Sequence, residues 1–157
     1  MRAFDIGDVI AIAAIVHPGY PEDDDVLEER LALYPDGCFI LEMDGAAVGY
    51  LLSHPWVYGD PPKLNARLNA LPDAPTTYYL HDIALLPEAQ GQSAATTIAA
   101  RLTEYAREKG FANISLCAVN RSAPFWQRQG FSLADVPGLD AKLASYGEDV
   151  RFMEKRL

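Results

Sequence analysis

The sequence predicts a single α/β domain built on a mixed sheet, and three observations carry that reading. Apolar runs that read as strands alternate with runs at helical spacing. Turn signals such as Pro35-Asp36-Gly37 and Asp44-Gly45 punctuate them. The chain has 157 residues, half of them hydrophobic and 22 % charged, enough for one core and too few for two.

The elements follow in order. Met1–Phe4 is expected as a short first strand. Asp5 and Asp8 flank the start of an apolar helix that runs to about Val16, where His17-Pro18-Gly19-Tyr20-Pro21 breaks it. Asp23–Asp25 supply an N-cap and an acidic first turn for a second helix, with Val26, Leu27, Leu31 and Leu33 as its apolar positions. Cys38–Glu42 and Val48–Leu52 read as strands joined at Asp44-Gly45, a strong hairpin signal. Residues 54–77 are the least regular segment, with prolines at 55, 61, 62, 72 and 75. Leu64, Leu68 and Leu71 fall at i, i+4 and i+7, which predicts a short amphipathic helix inside it. A proline-rich excursion of this length is either a binding loop or lid, or a surface connection packed by its own leucines.

Tyr78–Leu86 is the clearest strand and stops at Pro87. A turn of small and polar residues follows, then a helix to about Lys109. Ala95, Ile98, Ala99, Leu102 and Tyr105 lie on one of its faces, and Gly110 is its natural C-cap. Ile114–Val119 is the next strand. Ser122–Gln129 is a short helix ended by Gly130, and Phe131–Leu133 and Val150–Leu157 supply the last strands around a loop containing Pro137 and Gly138.

Charge and composition remove several classes of function. The net charge is −9, and residues 1–50 alone hold eleven acids against two bases. Such a surface repels phosphate backbones, so nucleic acid is not an expected partner. The acidic half suits a cationic ligand. The longest aliphatic run, Val9–Val16, has eight residues, far short of the roughly 20 of a spanning helix, so no membrane partner is expected. The N-terminus lacks the basic–apolar–small pattern of a secretory signal, and a cytoplasmic location is expected. Cys38 and Cys117 lie far apart in apolar runs and read as buried hydrophobes. His17, His54 and His81 show no metal-ligand spacing, so no metal is expected.

The strand–turn–helix at 78–109 is where chemistry is expected. A small-residue turn ahead of a helix exposes backbone N–H groups at the positive end of the helix dipole, which suits phosphate oxygens. Gln90-Gly91-Gln92-Ser93-Ala94-Ala95 resembles the Gln/Arg-x-x-Gly-x-Gly/Ala pyrophosphate loop of the GNAT superfamily of acyl-CoA-dependent N-acetyltransferases. Asn120-Arg-Ser-Ala123-Pro-Phe125-Trp126-Gln-Arg-Gln-Gly130-Phe131 resembles that family's Asn-x-x-Ala-x-x-aromatic-x-x-x-Gly-Phe segment. The order of elements also fits, over nearly the whole chain.

The resemblance implies a largely antiparallel sheet whose central strands splay apart, flanked by helices. It implies acetyl-CoA as cosubstrate. Pantetheine would enter between the strands at 79–86 and 113–119, bonded by main chain near Ile83 and Leu85. The N–H groups of 91–95 would hold the pyrophosphate, and Asn120 would lie beside the arm. Ser93 stands at the family's first glycine, and Trp126 stands where many members carry a tyrosine that protonates the leaving thiolate.

Transfer to an amine needs a base, because a free amine is mostly protonated at neutral pH. Histidine suits that task, and His81 lies on the cofactor-binding strand. By strand alternation it shares a face with Tyr79 and Ile83, while Asp82 points to the other face. Asp82 is the competing base or a structural partner. The reading is N-acetylation of a small-molecule primary amine by direct attack. Two alternatives stay open: a non-catalytic acyl-CoA-binding or regulatory domain, and a peptide or protein N-acetyltransferase. A homodimer is also left open. The acceptor site is expected to draw on the loop at Tyr20–Asp25 and on the 54–77 excursion.

Overall fold

Asp44 and Gly45 both take positive φ, 51° and 81°, the geometry of a two-residue hairpin turn. In the computed structural model, which describes every residue except Gln92 and Glu148, this turn joins β1 (Cys38–Met43) to β2 (Ala46–Trp56). β3 (Thr77–Leu85) pairs antiparallel with β2, and β4 (Asn113–Ala118) pairs parallel with β3. β6 (Arg151–Arg156) lies antiparallel to β4, with the two-residue β5 (Ser132–Leu133) on its outer edge. Among the described residues the sheet therefore has six strands in the order β1-β2-β3-β4-β6-β5. The only parallel pair among them, β3–β4, holds for Tyr78–Leu80 against Ile114–Leu116. Beyond it the two strands part, as the resemblance implies.

Each face of the sheet is covered by helices whose apolar side the sequence specifies. α3 (Ala94–Glu108) buries Ala99, Leu102 and Ala106 against Tyr78, Leu80, Ile114, Leu116 and Met153. On the opposite face α1 (Ile6–Val16) and α2 (Asp24–Leu33) bury Val9, Ile12, Leu27 and Leu31 against Tyr50, Leu52 and Ala84. Asp24 and Asp25 in the first turn of α2 complement its dipole. α4 (Ala123–Arg128) follows β4 and buries Trp126.

Three expectations are corrected. Met1–Phe4 is not a strand: Ala3–Asp5 form a 3₁₀ turn, closed where the Arg2 N–H donates to Asp5 Oδ2 at 2.6 Å. The stretch between β5 and β6 is not all loop, since Asp140–Leu143 form α5, continued as a 3₁₀ turn over Ala144–Tyr146. Leu64, Leu68 and Leu71 form no helix.

The reason for the last correction lies in α2. Glu29 accepts the backbone N–H groups of Leu68 and Asn69 at 2.6 and 3.0 Å, and Arg30 Nη2 donates to the Ala66 carbonyl at 2.7 Å. Asn65 and Asn69 sit in the left-handed region, with φ of 55° and 62°. The loop's polar backbone groups are thus bonded to α2 rather than to one another. Tyr146 closes the other side by donating to the Pro62 carbonyl at 2.8 Å. The excursion is a fixed wall, pinned at both flanks.

Arg30 is 1 % exposed and pairs with Glu29 at 2.8 Å. Removing one partner of such a pair strands a buried charge, at about 3–5 kcal/mol. Glu29→Ala should therefore lower the melting temperature by on the order of 10 °C in thermal unfolding, whereas Glu29→Gln, which keeps an acceptor, should lower it less. A loss within a degree or two for Glu29→Ala would show that the wall is held by other contacts.

Candidate active site

β2 and β3 slip register beside the cleft. Leu52 faces Asp82, but Ser53 faces Leu80, which leaves His81 as an extra residue in β3. A bulge of this kind re-aims side chains. His81 packs beside Tyr79 and His54 on the α1–α2 side of the sheet. Asp82 turns to the same side, where it receives the Tyr50 hydroxyl. Strand alternation placed His81 and Asp82 on opposite faces and His81 with Ile83. The bulge corrects both: Ile83 packs toward α3, and His81 and Asp82 share a face.

Two imidazole–carboxylate pairs result. His17, at the C-terminal end of α1, places Nε2 3.0 Å from Asp82 Oδ1. His81 Nε2 lies 3.0 Å from Glu22 Oε2, which stands just ahead of α2. Burial pulls the His17 imidazole toward neutrality, but the Asp82 carboxylate outweighs it and holds His17 above the ordinary 6.5. Burial likewise pushes Asp82 up, yet His17 and Tyr50 hold it below its usual range. Glu22 follows the same logic: burial raises it, and the His81 ring more than compensates. His54 differs. Burial, with His81 nearby, pushes it down to about 3, so it stays neutral.

The pair at His81 has free valence. Nε2 is the ring nitrogen that faces the Glu22 carboxylate, which leaves Nδ1 as the second one. Among the described residues neither His81 Nδ1 nor Glu22 Oε1 has a hydrogen-bond partner, although both are buried. Both residues line a cleft of about 500 Å³ between the parted strands β3 and β4. A buried ring nitrogen and a buried carboxylate oxygen, both without partners, suit a polar ligand that brings N–H donors.

The other end of the cleft suits an anion. Gly91 and Ser93 take φ of 77° and 62°, and α3 begins at Ala94 with no acidic side chain in its first turn. Its leading N–H groups have no intrahelical acceptor. A Cβ added at Gly91 would meet no heavy atom within 4 Å, so the approach to that backbone is open. Ser93 holds the left-handed conformation without glycine's freedom, at about 1–2 kcal/mol. The Gln90 side-chain amide donates to the Leu85 carbonyl at 3.1 Å and ties the turn to β3. These features fit the pyrophosphate of an acyl-CoA.

Most of the sequence-predicted site residues converge. Ile83, Leu85, Gln90, Ala95, Asn120 and Trp126 line the cleft together with His81 and Asp82. Gly91, Ser93 and Ala94 form the turn at its mouth. Gln92 lies outside the described residues. The carbonyl of Leu85 is already engaged, by the Gln90 side-chain amide. Trp126 is 5 % exposed and packs edge-on against Phe125 and Phe131. Sequence reasoning missed His17, Tyr50 and Tyr146. His17 sits in a breaker cluster and reads as loop punctuation, and nothing local pairs it with Asp82, 65 positions later. Glu22 falls within the Tyr20–Asp25 loop expected at the acceptor site. Among the described residues no three His, Cys, Asp or Glu side chains converge closely enough to hold a metal ion, and no helix is long and apolar enough to cross a membrane.

The splayed strands and the phosphate-suited turn define an acyl-CoA-type cleft, and comparison gives its family. Residues 9–131 match the model of the Acetyltransferase (GNAT) family, and the chain belongs to that family. Its fold is similar to the loading GNATL domain of CurA from Lyngbya majuscula, with a TM-score of 0.82 and 17 % identity over 99 % of this chain and 94 % of that one. It is similar to the GphF GNAT-like decarboxylase, solved with isobutyryl-CoA, at a TM-score of 0.80 and 13 % identity over 99 % and 96 % of the two chains. The PaiA N-acetyltransferase of Thermoplasma acidophilum, solved with coenzyme A, matches at 0.68 and 13 % identity over 100 % and 96 %. No curated protein matches the chain in sequence.

The two ion pairs set a pH window for stability. Asp82 and Glu22 sit below their ordinary 3.8 and 4.5, so their contribution is present above those values and lost on acidification. His17 sits above 6.5, so its contribution is complete below 6.5 and is lost as pH rises through its raised folded value. All three coexist between pH 4.5 and 6.5. In thermal unfolding across pH, the wild-type chain should lose stability above that window relative to Asp82→Asn. Parallel curves for the two proteins would mean that His17 and Asp82 are not paired in solution.

Proposed function

We propose that the protein is an acetyl-CoA-dependent N-acetyltransferase whose acceptor is a cationic small-molecule amine. The observation that carries this reading is the buried His81–Glu22 pair, with one unpartnered ring nitrogen and one unpartnered carboxylate oxygen in the cleft. A bound acyl-CoA presents its thioester carbonyl to attack. Glu22 attracts an ammonium and orients it. His81 Nδ1 then takes one proton from the acceptor nitrogen, and the neutral amine attacks; as the carbon–sulfur bond breaks, a second proton from that nitrogen passes to the departing sulfur. Family membership supports acyl transfer in general, and the charge of this end supports an amine.

Three other readings are less well supported. A site built to bind an acid-bearing acyl group would present an arginine or lysine, and neither is among the described residues lining this cleft. A peptide acceptor needs an open groove, and the wall at 57–76, pinned by Glu29, Arg30 and Tyr146, narrows the acceptor end. A non-catalytic acyl-CoA-binding domain gives no reason for an unpartnered imidazole nitrogen beside a carboxylate.

His81→Ala tests the base. It should lower kcat/KM for acetylation at pH 7 by about 10²–10⁴-fold, with acetyl-CoA affinity nearly unchanged. Activity should recover at high pH, where the amine loses its proton unaided. Near-wild-type turnover at pH 7 would make His81 structural and transfer the role to Asp82 or a bound water.

A further inference from the structure

His17 ends α1 and Asn120 follows β4, and the two meet at the cleft. Asn120 Nδ2 lies 3.3 Å from His17 Nδ1, and both residues line the cleft. Their backbones are fixed. The His17 N–H donates to the Ala13 carbonyl at 2.8 Å and closes α1. Asn120 and Arg121, with φ of 53° and 57°, are the central residues of a turn closed where the Ser122 N–H donates to the Val119 carbonyl at 2.9 Å. Asparagine tolerates that left-handed position. What remains open at Asn120 is which end of its amide meets the ring.

The ring decides. Its Nε2 stands 3.0 Å from Asp82 Oδ1, and the Tyr50 hydroxyl donates to the same carboxylate. An ionised carboxylate only accepts, so Nε2 carries a proton. A neutral ring then has its lone pair on Nδ1. Asn120 can meet that lone pair only with its NH2 end, which is the arrangement observed. A charged ring carries a proton on Nδ1 as well. It repels the NH2 end and takes the carbonyl Oδ1 instead. The amide therefore turns over as the ring titrates. Neutral His17 leaves Oδ1 for the cleft, and charged His17 leaves NH2 for it. An acyl-CoA arm brings amide N–H groups that need acceptors, and on β3 the Leu85 carbonyl is already taken by Gln90.

We infer that His17, held through Nε2 by Asp82, is a positioning residue that turns the Asn120 amide so that Oδ1 receives an amide N–H of the acyl-CoA arm. This role rests on the N-acetyltransferase reading above, since it places an acyl-CoA in the cleft. It makes cosubstrate binding proton-linked, because a charged His17 draws Oδ1 to itself and withdraws that acceptor. The charged groups acting on the ring are Asp82 on β3 and Glu22 ahead of α2. Tyr50 on β2 and His81 on β3 act through Asp82, and the turn after β4 brings the uncharged amide of Asn120. Burial favours the neutral ring and Asp82 outweighs it, so the change falls above 6.5.

The test is the affinity of CoA, read by calorimetry from about pH 6 to about pH 8.5, across the histidine range. Wild type is compared with His17→Gln, whose NH2 can meet Asp82 and whose carbonyl can meet Asn120. Glutamine thus copies the neutral ring and does not titrate, and the ligand's own phosphates titrate alike in both proteins. At the acid end wild type should bind about three- to tenfold more weakly than His17→Gln, the span of one neutral hydrogen bond. The two should converge at the alkaline end. With Asn120→Ala in both proteins the difference should vanish. In the unsubstituted protein the His17 ring, followed by its ¹⁵N signals, should titrate lower with CoA bound than without, by roughly half a pH unit to one, because a ligand that prefers the neutral ring must stabilise it. The phosphates of CoA acting alone would raise that midpoint, so the direction is decisive however the variants fold. Superimposable profiles for wild type and His17→Gln, or a His17 midpoint that CoA raises or leaves unmoved, would overturn the proposal. Failure of CoA to bind at millimolar concentration would overturn it together with the transferase reading, whereas superimposable profiles would remove only the role of His17.

Discussion

The register slip between Leu52 and Ser53 determines which groups can meet in the cleft. In an unbulged pair His81 and Asp82 would face opposite sides of the sheet. The extra residue turns both toward α1 and α2, so each finds a partner there: His17 at the end of one helix and Glu22 at the start of the next. The site thereby gains two imidazoles and two carboxylates from three separate stretches of chain. Because each charge faces an opposite one, burial does not neutralise Asp82, Glu22 or His17. His54, with no carboxylate beside it, shows the opposite outcome and is held neutral.

Around this cluster the fold supplies rigid walls. The β3–β4 pair closes at Tyr78–Leu80 and opens beyond it, so the cleft has a fixed floor and a mouth at the α3 N-terminus. Arg30 and Glu29 are costly groups to bury, and a hydrophobic pair would stabilise a core as well or better. Their position explains them. Arg30 and Glu29 hold the main chain of residues 66–69, close to Leu64, which lines the cleft. Three of the six described non-glycine residues with positive φ, Ser93, Asn120 and Arg121, fall in the turns that follow β3 and β4.

Much of the fold was legible in the sequence. The hairpin at Asp44-Gly45, the strand ending before Pro87 and the helix closing near Gly110 stand where turn chemistry puts them. The turn at 90–95 and Asn120 were expected from short contiguous motifs, and Gln90, Ala95 and Asn120 do line the cleft. The rest was not readable, for physical reasons. A bulge is a property of two strands, and β3 alone carries no sign of it. The leucines at 64, 68 and 71 have helical spacing, but Glu29 and Arg30 claim the backbone groups such a helix would use. His17 owes its role to Asp82, a contact made only by folding.

The central claim is that this cleft acetylates cationic amines because an unpartnered base and a carboxylate stand at its end. The most direct measurement is the rate of CoA thiol release from acetyl-CoA with acceptors matched in size: an arylalkyl amine, a diamine and an amino acid bearing a free carboxylate. The account predicts acceptor-dependent release with the first two, accompanied by the acetylated product in mass spectra, and little with the amino acid. Preference for the carboxylate-bearing acceptor, or tight acetyl-CoA binding with no release for any amine, would contradict it.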